Sequence, residues 1–184
     1  MSISHEELEP IVKLTYDDLV LFPDDGKRHE IINGRHYMNA SPTPRHQLIC
    51  GELHTQLREI LRPAGHTVFV SPIDVQLSKS DVVVPDLVVV FKGNDIITDT
   101  RIIGSPDLVI EILSPSTRRN DENLKLRLYE QAGIPEYWIV DPDNNTITSL
   151  RMSNSRYEKS TPVTDAISLQ AAAATVQIDL TRVW

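Results

Sequence analysis

The sequence predicts a mixed α/β fold in which a central sheet is flanked by helices. Two apolar stretches, Val84–Val90 and Leu108–Leu113, have the composition of strands that are buried on both faces. Segments with apolar residues three and four positions apart lie before and after them, and this spacing is typical of amphipathic helices. Helices and strands in this order pack as layers around one sheet, and 184 residues suit a single domain covering positions 1–184.

Local signals mark most of the element boundaries. Asn33-Gly34, between two short β-prone runs, is the strongest short signal for a hairpin. Thr43 can cap, and Pro44 can open, a long amphipathic helix, while Gly133 is placed to end a later one. In chain order, we expect a short helix at 15–21, hairpin strands at 29–32 and 35–38, a helix from Pro44 to Pro63, strands at 67–70, 73–77, 82–91 and 107–113 with an irregular connection at 92–106, a helix between Thr117 and Gly133, and strands at 136–140, 146–151, 156–159 and 175–180.

Composition excludes several classes of protein. Hydrophobic residues make up 40% and charged residues 24%, which is typical of a globular chain rather than a disordered or fibrous one. No apolar run approaches the ~20 residues that span a bilayer. The first seven residues lack the features of a signal peptide, and the single cysteine, Cys50, cannot form an intrachain disulfide. We therefore expect a cytoplasmic protein without a membrane segment.

The most informative residues are two acids, Asp86 and Glu111, inside the apolar stretches. A carboxylate in such a position is costly unless a cation compensates its charge. Alternate residues of a strand share a face, so pairing of the two strands with Asp86 beside Glu111 would bring both carboxylates together. Two adjacent anions favour a divalent cation, and Mg²⁺ or Mn²⁺ suits oxygen ligands. Such a site can hydrolyse a phosphodiester, so a metal-dependent nuclease is the leading hypothesis.

Lys125 is the candidate cation. In a helix that begins near Thr117, Lys125 lies about 12 Å along the axis at ~1.5 Å per residue, and Glu111 lies about 7 Å back from its strand end. A lysine stem can cover the difference of about 5 Å. The alternative is a surface ion pair with Asp121, four residues earlier on the same helix face. The residues alone leave both arrangements open.

Several motifs resemble those of known nucleases. Pro85-Asp86 followed by Glu111 in an apolar strand resembles the PD-(D/E)XK superfamily, whose restriction-endonuclease-like core is a mixed sheet flanked by helices. Longer segments are similar to the Uma-two family of endonucleases, and the resemblance extends over nearly the whole chain. These segments are Ser105–Thr117, Lys125–Tyr129, Gly133–Pro142, Arg28–Gly34 and Ser41–His46.

The resemblance implies roles for individual residues. Asp86 and Glu111 correspond to the metal-binding acids, and Glu30 matches an acid that the superfamily often supplies from its first element. The third motif of the superfamily would place a lysine two residues after Glu111, where this chain has Leu113. The resemblance therefore implies that Lys125, on the next helix, has taken over the role of that lysine.

Three of the candidate residues also have ordinary structural interpretations. Glu30 could form an ion pair with Arg28 or Arg35 on the hairpin. His46 is a further candidate from the resemblance, although the first turn of a helix is more often a surface position. Ser114 is a possible donor behind the site, or it simply caps the following helix.

The expected substrate is DNA, with RNA less favoured because no stacking platform is visible. Although the net charge of −8 argues against loose nucleic-acid binding, Arg118 and Arg119 could contact phosphates beside the scissile bond. Cleavage of two strands by one site per chain favours a homodimer. The rival hypothesis is a nuclease-like fold that only binds or regulates, which would tolerate loss of Lys125.

Overall fold

The structure, a computed structural model, describes residues 12–171 and 174–184, and the expectation for the first seven residues lies outside these ranges. Within them, no helix combines the length and apolar character needed to cross a membrane. A π-helical segment at Asn120–Lys125 precedes α3, and 3-10 turns cover Arg62–Ala64 and Leu180–Arg182. The helices and strands are α1 Tyr16–Leu19, β1 Arg28–Ile32, β2 Arg35–Asn39, α2 Pro44–Leu61, β3 Thr67–Val70, β4 Val75–Ser78, β5 Asp81–Val83, β6 Leu87–Val90, β7 Ile102–Ile103, β8 Leu108–Ile112, α3 Leu126–Gln131, β9 Glu136–Asp141, β10 Thr146–Ser153, β11 Arg156–Lys159, β12 Ala166–Ala171 and β13 Ala174–Asp179.

The strands of the described residues form three sheets. The largest has the order β11-β10-β9-β8-β6-β3, in which β8 and β9 run parallel and the other neighbours are antiparallel. A second sheet has the order β2-β1-β5-β4-β7, and β12 pairs with β13 as a separate hairpin. Mixed pairing with helices packed on the largest sheet confirms the predicted mixed α/β class.

Both faces of the largest sheet are covered. On one face, α2 packs Ile49, Leu53 and Leu57 into a cluster with residues of β6, β8 and β9, and the β12–β13 hairpin joins this cluster. On the other face, Tyr129 of α3 and Tyr137 of β9 pack with residues of the second sheet. Strands β6 and β8 are therefore buried along their whole length, as their continuous apolar composition predicts.

The register of β6 and β8 brings the two acids level with each other. Leu87 pairs with Ile110 in this antiparallel ladder, and the same register continued by one residue places Asp86 opposite Glu111. The backbone N–H of Ile112 donates to the Asp86 carboxylate, which ties the two positions together. The pairing on which the metal-site hypothesis depends is thus present.

The prediction of a single strand at 82–91 is wrong. Residues 82–91 contain the end of β5 in the second sheet and β6 in the largest sheet, separated by Val84-Pro85-Asp86. Pro85 has no N–H to donate to a ladder, so the chain leaves one sheet and enters the other at this point. Asp86 consequently lies at the junction of the two sheets, within reach of residues from both.

Most of the other predicted elements are present. Both Asn33 (φ 52°) and Gly34 (φ 74°) adopt the left-handed conformation that the hairpin turn requires. Thr43 caps α2 by accepting a hydrogen bond from the N–H of His46. Strand β12 was not predicted, and the short β7 lies in the connection expected to be irregular.

The helix predicted between Thr117 and Gly133 is not uniform. Residues Asn120–Lys125 are π-helical, α3 continues the helix, and Gly133 follows with φ 72°. Bonds from residue i to i+5 widen the π-helical turn, and such turns are frequent at functional sites. Asp121 and Lys125 of this segment are both buried.

Candidate active site

Three groups from three elements contact the carboxylate of Asp86. The Nη1 of Arg28 on β1 donates to Oδ1 at 2.7 Å, and the Nε2 of His46 on α2 lies 3.0 Å from Oδ2. The N–H of Ile112 on β8 donates to Oδ2 at 2.9 Å. Because Asp86 is only 4% exposed, these donors rather than bulk water stabilise its charge.

Glu111 shares the ammonium group of Lys125 with Glu30. The Nζ of Lys125 lies 2.9 Å from Oε1 of Glu111 and 2.8 Å from Oε1 of Glu30. The hydroxyl of Tyr129 donates to Oε1 of Glu111 at 2.7 Å. Lys125 is only 3% exposed and also forms a longer ion pair with Asp121, at 3.8 Å, so both arrangements that the sequence left open are present, and the pair with Asp121 is buried rather than on the surface.

Glu30 belongs to this buried group rather than to the hairpin surface. Its Oε2 accepts a hydrogen bond from Nδ2 of Asn39, and its Oε1 accepts from the N–H of Val84, both at 2.8 Å. Among the ion pairs of the described residues, none joins Glu30 to Arg28 or Arg35. The hairpin therefore brings the carboxylate of Glu30 into contact with Lys125, which also contacts Glu111.

The two opposed acids have opposite pKa shifts. Burial by itself raises the pKa of Asp86, but its donors outweigh burial, with His46 the strongest, and the pKa lies below its ordinary value. Burial also raises the pKa of Glu111, and the positive charge of Lys125 only partly opposes this effect. Neighbouring acids raise it further, and the pKa of Glu111 is about 8.

The acid cluster carries more negative than positive charge. Burial raises the pKa of Asp121 to about 6. Burial lowers the pKa of Lys125, but the charges of Glu111 and Glu30 outweigh it, and the pKa lies above its ordinary value. The cluster contains four carboxyl groups and two cationic side chains, so the carboxyl groups outnumber the cations by two. The cluster consists of the acids Glu30, Asp86, Glu111 and Asp121 with the cations Arg28 and Lys125.

The carboxylates of Asp86 and Glu111 have acceptor positions that no donor of the described residues occupies. A carboxylate offers about four acceptor positions, and Asp86 uses one on Oδ1 and two on Oδ2. Both donors to Glu111 contact Oε1, so within the described ranges Oε2 accepts no hydrogen bond. Across residues 12–171 and 174–184, no three His, Cys, Asp or Glu side chains are arranged to hold a metal. Two carboxylates suffice for Mg²⁺, which keeps several waters.

A cavity of about 260 Å³ gives access to the acids. Two buried nitrogens of its lining residues, Nε of Arg28 and Nδ1 of His46, have no hydrogen-bond partner in the described part of the chain. A buried polar group without a partner costs about 1–3 kcal/mol, which favours a polar ligand here. The lining residues are Arg28, Asn39, Ala40, Ser41, Pro42, Thr43, His46, Val84, Asp86, Glu111, Ile112, Ser114, Pro115, Ser116, Thr117, Asp121 and Lys125.

Arg118 and Arg119 are not among the residues that line the cavity. Arg118 donates to both carboxylate oxygens of Asp141, at 2.9 and 3.0 Å, and Arg119 is exposed. Ser114 does line the cavity, and its hydroxyl also accepts a hydrogen bond from the N–H of Thr117 at 3.3 Å. The structure thus brings Ser114 to the acids but leaves the two arginines outside.

The site contains two residues, Arg28 and Tyr129, that were not predicted from the sequence to belong to it. Arg28 is two positions before Glu30 on β1, so strand alternation places both on one face. Tyr129 follows Lys125 by four residues on the same helical segment, which is the spacing of neighbours on a helix surface. His46, for which a surface position was the more ordinary interpretation, is only 5% exposed and contacts Asp86.

Comparisons with known proteins identify the family and the fold of the chain. The model of the Uma2 (Uma-two) family, described as "Putative restriction endonuclease", matches residues 15–181. The "Uncharacterized protein slr1290" of Synechocystis sp. is 28% identical over 141 residues, which are 75% of this chain and 74% of that protein. A crystal structure from Anabaena variabilis, of "a putative nuclease belonging to DUF820", has a TM-score of 0.74 at 21% identity. It covers 92% of this chain and 97% of its own, which establishes a shared fold.

Proposed function

The chain belongs to the Uma2 family, and on this premise we propose that it is a metal-dependent endonuclease that hydrolyses the phosphodiester bonds of DNA. The observation that carries this proposal is the pairing of Asp86 with Glu111 at the edge of one cavity, beside a buried lysine. A hydrolytic site for phosphodiesters needs oxygen ligands for a cation and a fixed positive charge, and both are present.

Mg²⁺ or Mn²⁺ would be held by the carboxylates of Asp86 and Glu111, each of which has acceptor positions left. When bound, such a cation lowers the pKa of a coordinated water and polarises a phosphate oxygen. Lys125 contacts both Glu30 and Glu111, so Glu30 adds a further carboxylate close to this pair. The charge surplus of the acid cluster favours a divalent over a monovalent ion.

Lys125 holds a positive charge against Glu111, where negative charge would develop on the phosphate. An ammonium group already fixed by Glu30 and Glu111 needs no rearrangement during the reaction, which is the basis of electrostatic stabilisation. Leu113, at the position of the missing lysine, is buried in the apolar cluster on the α3 side of the sheet. This burial supports the transfer of the lysine role to the next helix.

The remaining expectations form part of the same proposal. The description of the Uma2 family, "Putative restriction endonuclease", favours DNA as the substrate. A homodimer would supply two sites for the two strands, and sedimentation of the purified protein tests this. The single cysteine, Cys50, is buried and is not part of a disulfide, which favours a reducing compartment such as the cytoplasm.

The experiment that tests the proposal is a supercoiled-plasmid assay with Mg²⁺, Mn²⁺ or EDTA. We expect cleavage with either metal, no cleavage in EDTA, and loss of cleavage in Asp86→Asn and Glu111→Gln. Asp99→Asn is the matched control, because Asp99 is exposed and does not line the cavity. Full cleavage by Glu111→Gln would contradict the assignment.

The second candidate is a nuclease-like binding module. It is favoured by the saturation of Oε1 of Glu111 and by the pairing of Asp86 with Arg28, which hold the site together without a metal. Lys125→Met alone does not separate the two functions, because it leaves buried acids without a cation. The double variant Lys125→Met/Glu30→Gln preserves the charge balance: an enzyme would lose cleavage, whereas a binding module would keep its affinity for DNA.

A further inference from the structure

Two unpartnered nitrogens flank the same carboxylate. In the described part of the chain, the buried side-chain nitrogens and oxygens without a hydrogen-bond partner are Nε of Arg28 and Nδ1 of His46. Arg28 contacts Oδ1 of Asp86 and His46 contacts Oδ2, and both side chains line the cavity. Buried polar atoms are nearly always paired, so two exceptions at one carboxylate point to a ligand.

The two nitrogens require opposite kinds of partner. A guanidinium Nε always carries a proton, so Arg28 needs an acceptor. Both oxygens of the Asp86 carboxylate already accept hydrogen bonds, from Arg28 and from the N–H of Ile112, so Nε2 of His46 is the donor in its contact with Oδ2. In the neutral ring, Nδ1 then has a lone pair and needs a donor. Hydrolysis of a phosphodiester provides both partners, because the phosphate has only acceptor oxygens and the attacking water has protons to donate.

We propose that Nε–H of Arg28 binds a non-bridging oxygen of the scissile phosphate and that Nδ1 of His46 accepts a hydrogen bond from the attacking water. This inference rests on the proposed nuclease function. It assigns to Arg28 the phosphate contact expected of Arg118 and Arg119, which lie outside the cavity lining. Asp86 orients both groups through its two oxygens, in addition to its role as a ligand.

The placement of the two residues supports these roles. Arg28 is on β1 of the second sheet and His46 is in the first turn of α2, which covers the largest sheet. Ser71 also lies 3.4 Å from Nη1 of Arg28, so one arm of the guanidinium is held while Nε is left for a ligand. The side chain of Arg28 is 20% exposed and that of His46 only 6%, which suits a phosphate approaching from solvent and an enclosed water.

The kinetic test uses two conservative variants. Arg28→Lys keeps a cation for Asp86 but removes Nε–H, and His46→Gln keeps a donor for Asp86 but removes Nδ1. On a chromogenic phosphodiester with Mn²⁺, Arg28→Lys should raise KM roughly tenfold to a hundredfold, the range for a hydrogen bond to a charged group. His46→Gln should instead lower kcat by about a hundredfold at unchanged KM, because the water is no longer oriented.

Arg45→Lys and His54→Gln are the matched controls, since neither residue lines the cavity, and both should behave as wild type. If wild type cleaves and Arg28→Lys and His46→Gln match it, the inference is overturned while the nuclease function stands. A purely structural role would lower thermal stability without this division between KM and kcat.

A spectroscopic measurement on wild type keeps the inference testable if the variants unfold or if no cleavage occurs. The Nε–H resonance of Arg28 is followed by nuclear magnetic resonance while a short DNA duplex is added with Ca²⁺. A downfield shift with slower exchange with water supports the phosphate contact, even for a protein that does not cleave. An unchanged resonance in a protein that binds the duplex overturns it. A duplex that does not bind overturns both the inference and the proposed function.

Discussion

Asp86 and Glu111 are opposed in one ladder and almost equally buried, at 4% and 3% exposure, yet their environments have opposite effects. Asp86 receives an arginine, a histidine and a backbone N–H, and its pKa is lowered. Glu111 receives a lysine that also serves Glu30, together with a neutral tyrosine hydroxyl, and its pKa is raised to about 8. Burial is common to both acids, so the number and charge of the donors decide which one remains ionised.

Asp86 and Glu111 also differ in the roles that we propose for them. The pKa of Asp86 is lowered, and its partners Arg28 and His46, which both line the cavity, each have a buried nitrogen without a hydrogen-bond partner among the described residues. Glu111 belongs to a group of three buried acids, with Glu30 and Asp121, that share the positive charge of Lys125. A divalent cation would therefore stabilise the ionised form of Glu111 more than that of Asp86, because it supplies the positive charge that is lacking around Glu111.

The largest effect is expected from Lys125→Met. Removing the cation leaves Glu30, Glu111 and Asp121 buried without compensation, and breaking a buried ion pair in this way costs about 3–5 kcal/mol. Urea denaturation near neutral pH measures the free energy of unfolding. Adding Glu30→Gln should restore part of the loss, since it removes one uncompensated charge. An unchanged unfolding midpoint in the single variant would contradict the role given to Lys125.

Asp86→Asn should destabilise less. The amide keeps the shape but loses the charge that Arg28 and His46 contact, at a cost of roughly 1.5–3 kcal/mol. Because the pKa of Asp86 is lowered on folding, its stabilising effect is present above the ordinary value of 3.8 and is lost as pH falls through the lower folded value. Denaturation across this range should show the difference between variant and wild type shrinking with acid. A constant difference would contradict the ionised assignment.

Glu111→Gln should show the opposite pH dependence. The pKa of Glu111 is raised on folding from 4.5 to about 8, so wild type loses stability as pH rises between these values. The variant lacks this loss and should gain stability relative to wild type, on the order of 1–2 kcal/mol after allowance for Lys125. Parallel denaturation curves at several pH values measure this gain. If wild type and variant kept a fixed difference, Glu111 would be fully ionised throughout.

The smallest effect is expected from Arg118→Gln, which tests the boundary of the site. Arg118 is one-third exposed, and its ion pair with Asp141 is a surface interaction worth about 0.2–1 kcal/mol. Added salt should reduce this difference, and plasmid cleavage should be unchanged. Loss of cleavage with unchanged stability would show that Arg118 takes part in the reaction after all.

The main geometry of the site could be predicted from the sequence because it depends on local periodicity. Continuous apolar runs identified the buried strands, and alternation showed that pairing with Asp86 beside Glu111 would bring both carboxylates together, which is the register found in the structure. The rise per residue of a helix correctly indicated that the side chain of Lys125 could reach Glu111. The break at Pro85 was also available from the sequence, since proline cannot donate within a ladder.

Other features depend on contacts between distant segments and have no local signal. Arg28 reaches Asp86 across 58 positions, and His46 reaches it across 40. The burial of His46 follows from packing of the start of α2 over the site, whereas helix periodicity alone favours a surface position. Strand β12 has small and polar residues among its apolar ones, so its β signal is weak.

The most direct test of the account is a titration with Mn²⁺ followed by electron paramagnetic resonance. We predict one tight site per chain in wild type, lost in both Asp86→Asn and Glu111→Gln and kept in Asp99→Asn. Mn²⁺ bound equally by wild type and both site variants would contradict the central claim that the opposed carboxylates form a metal centre.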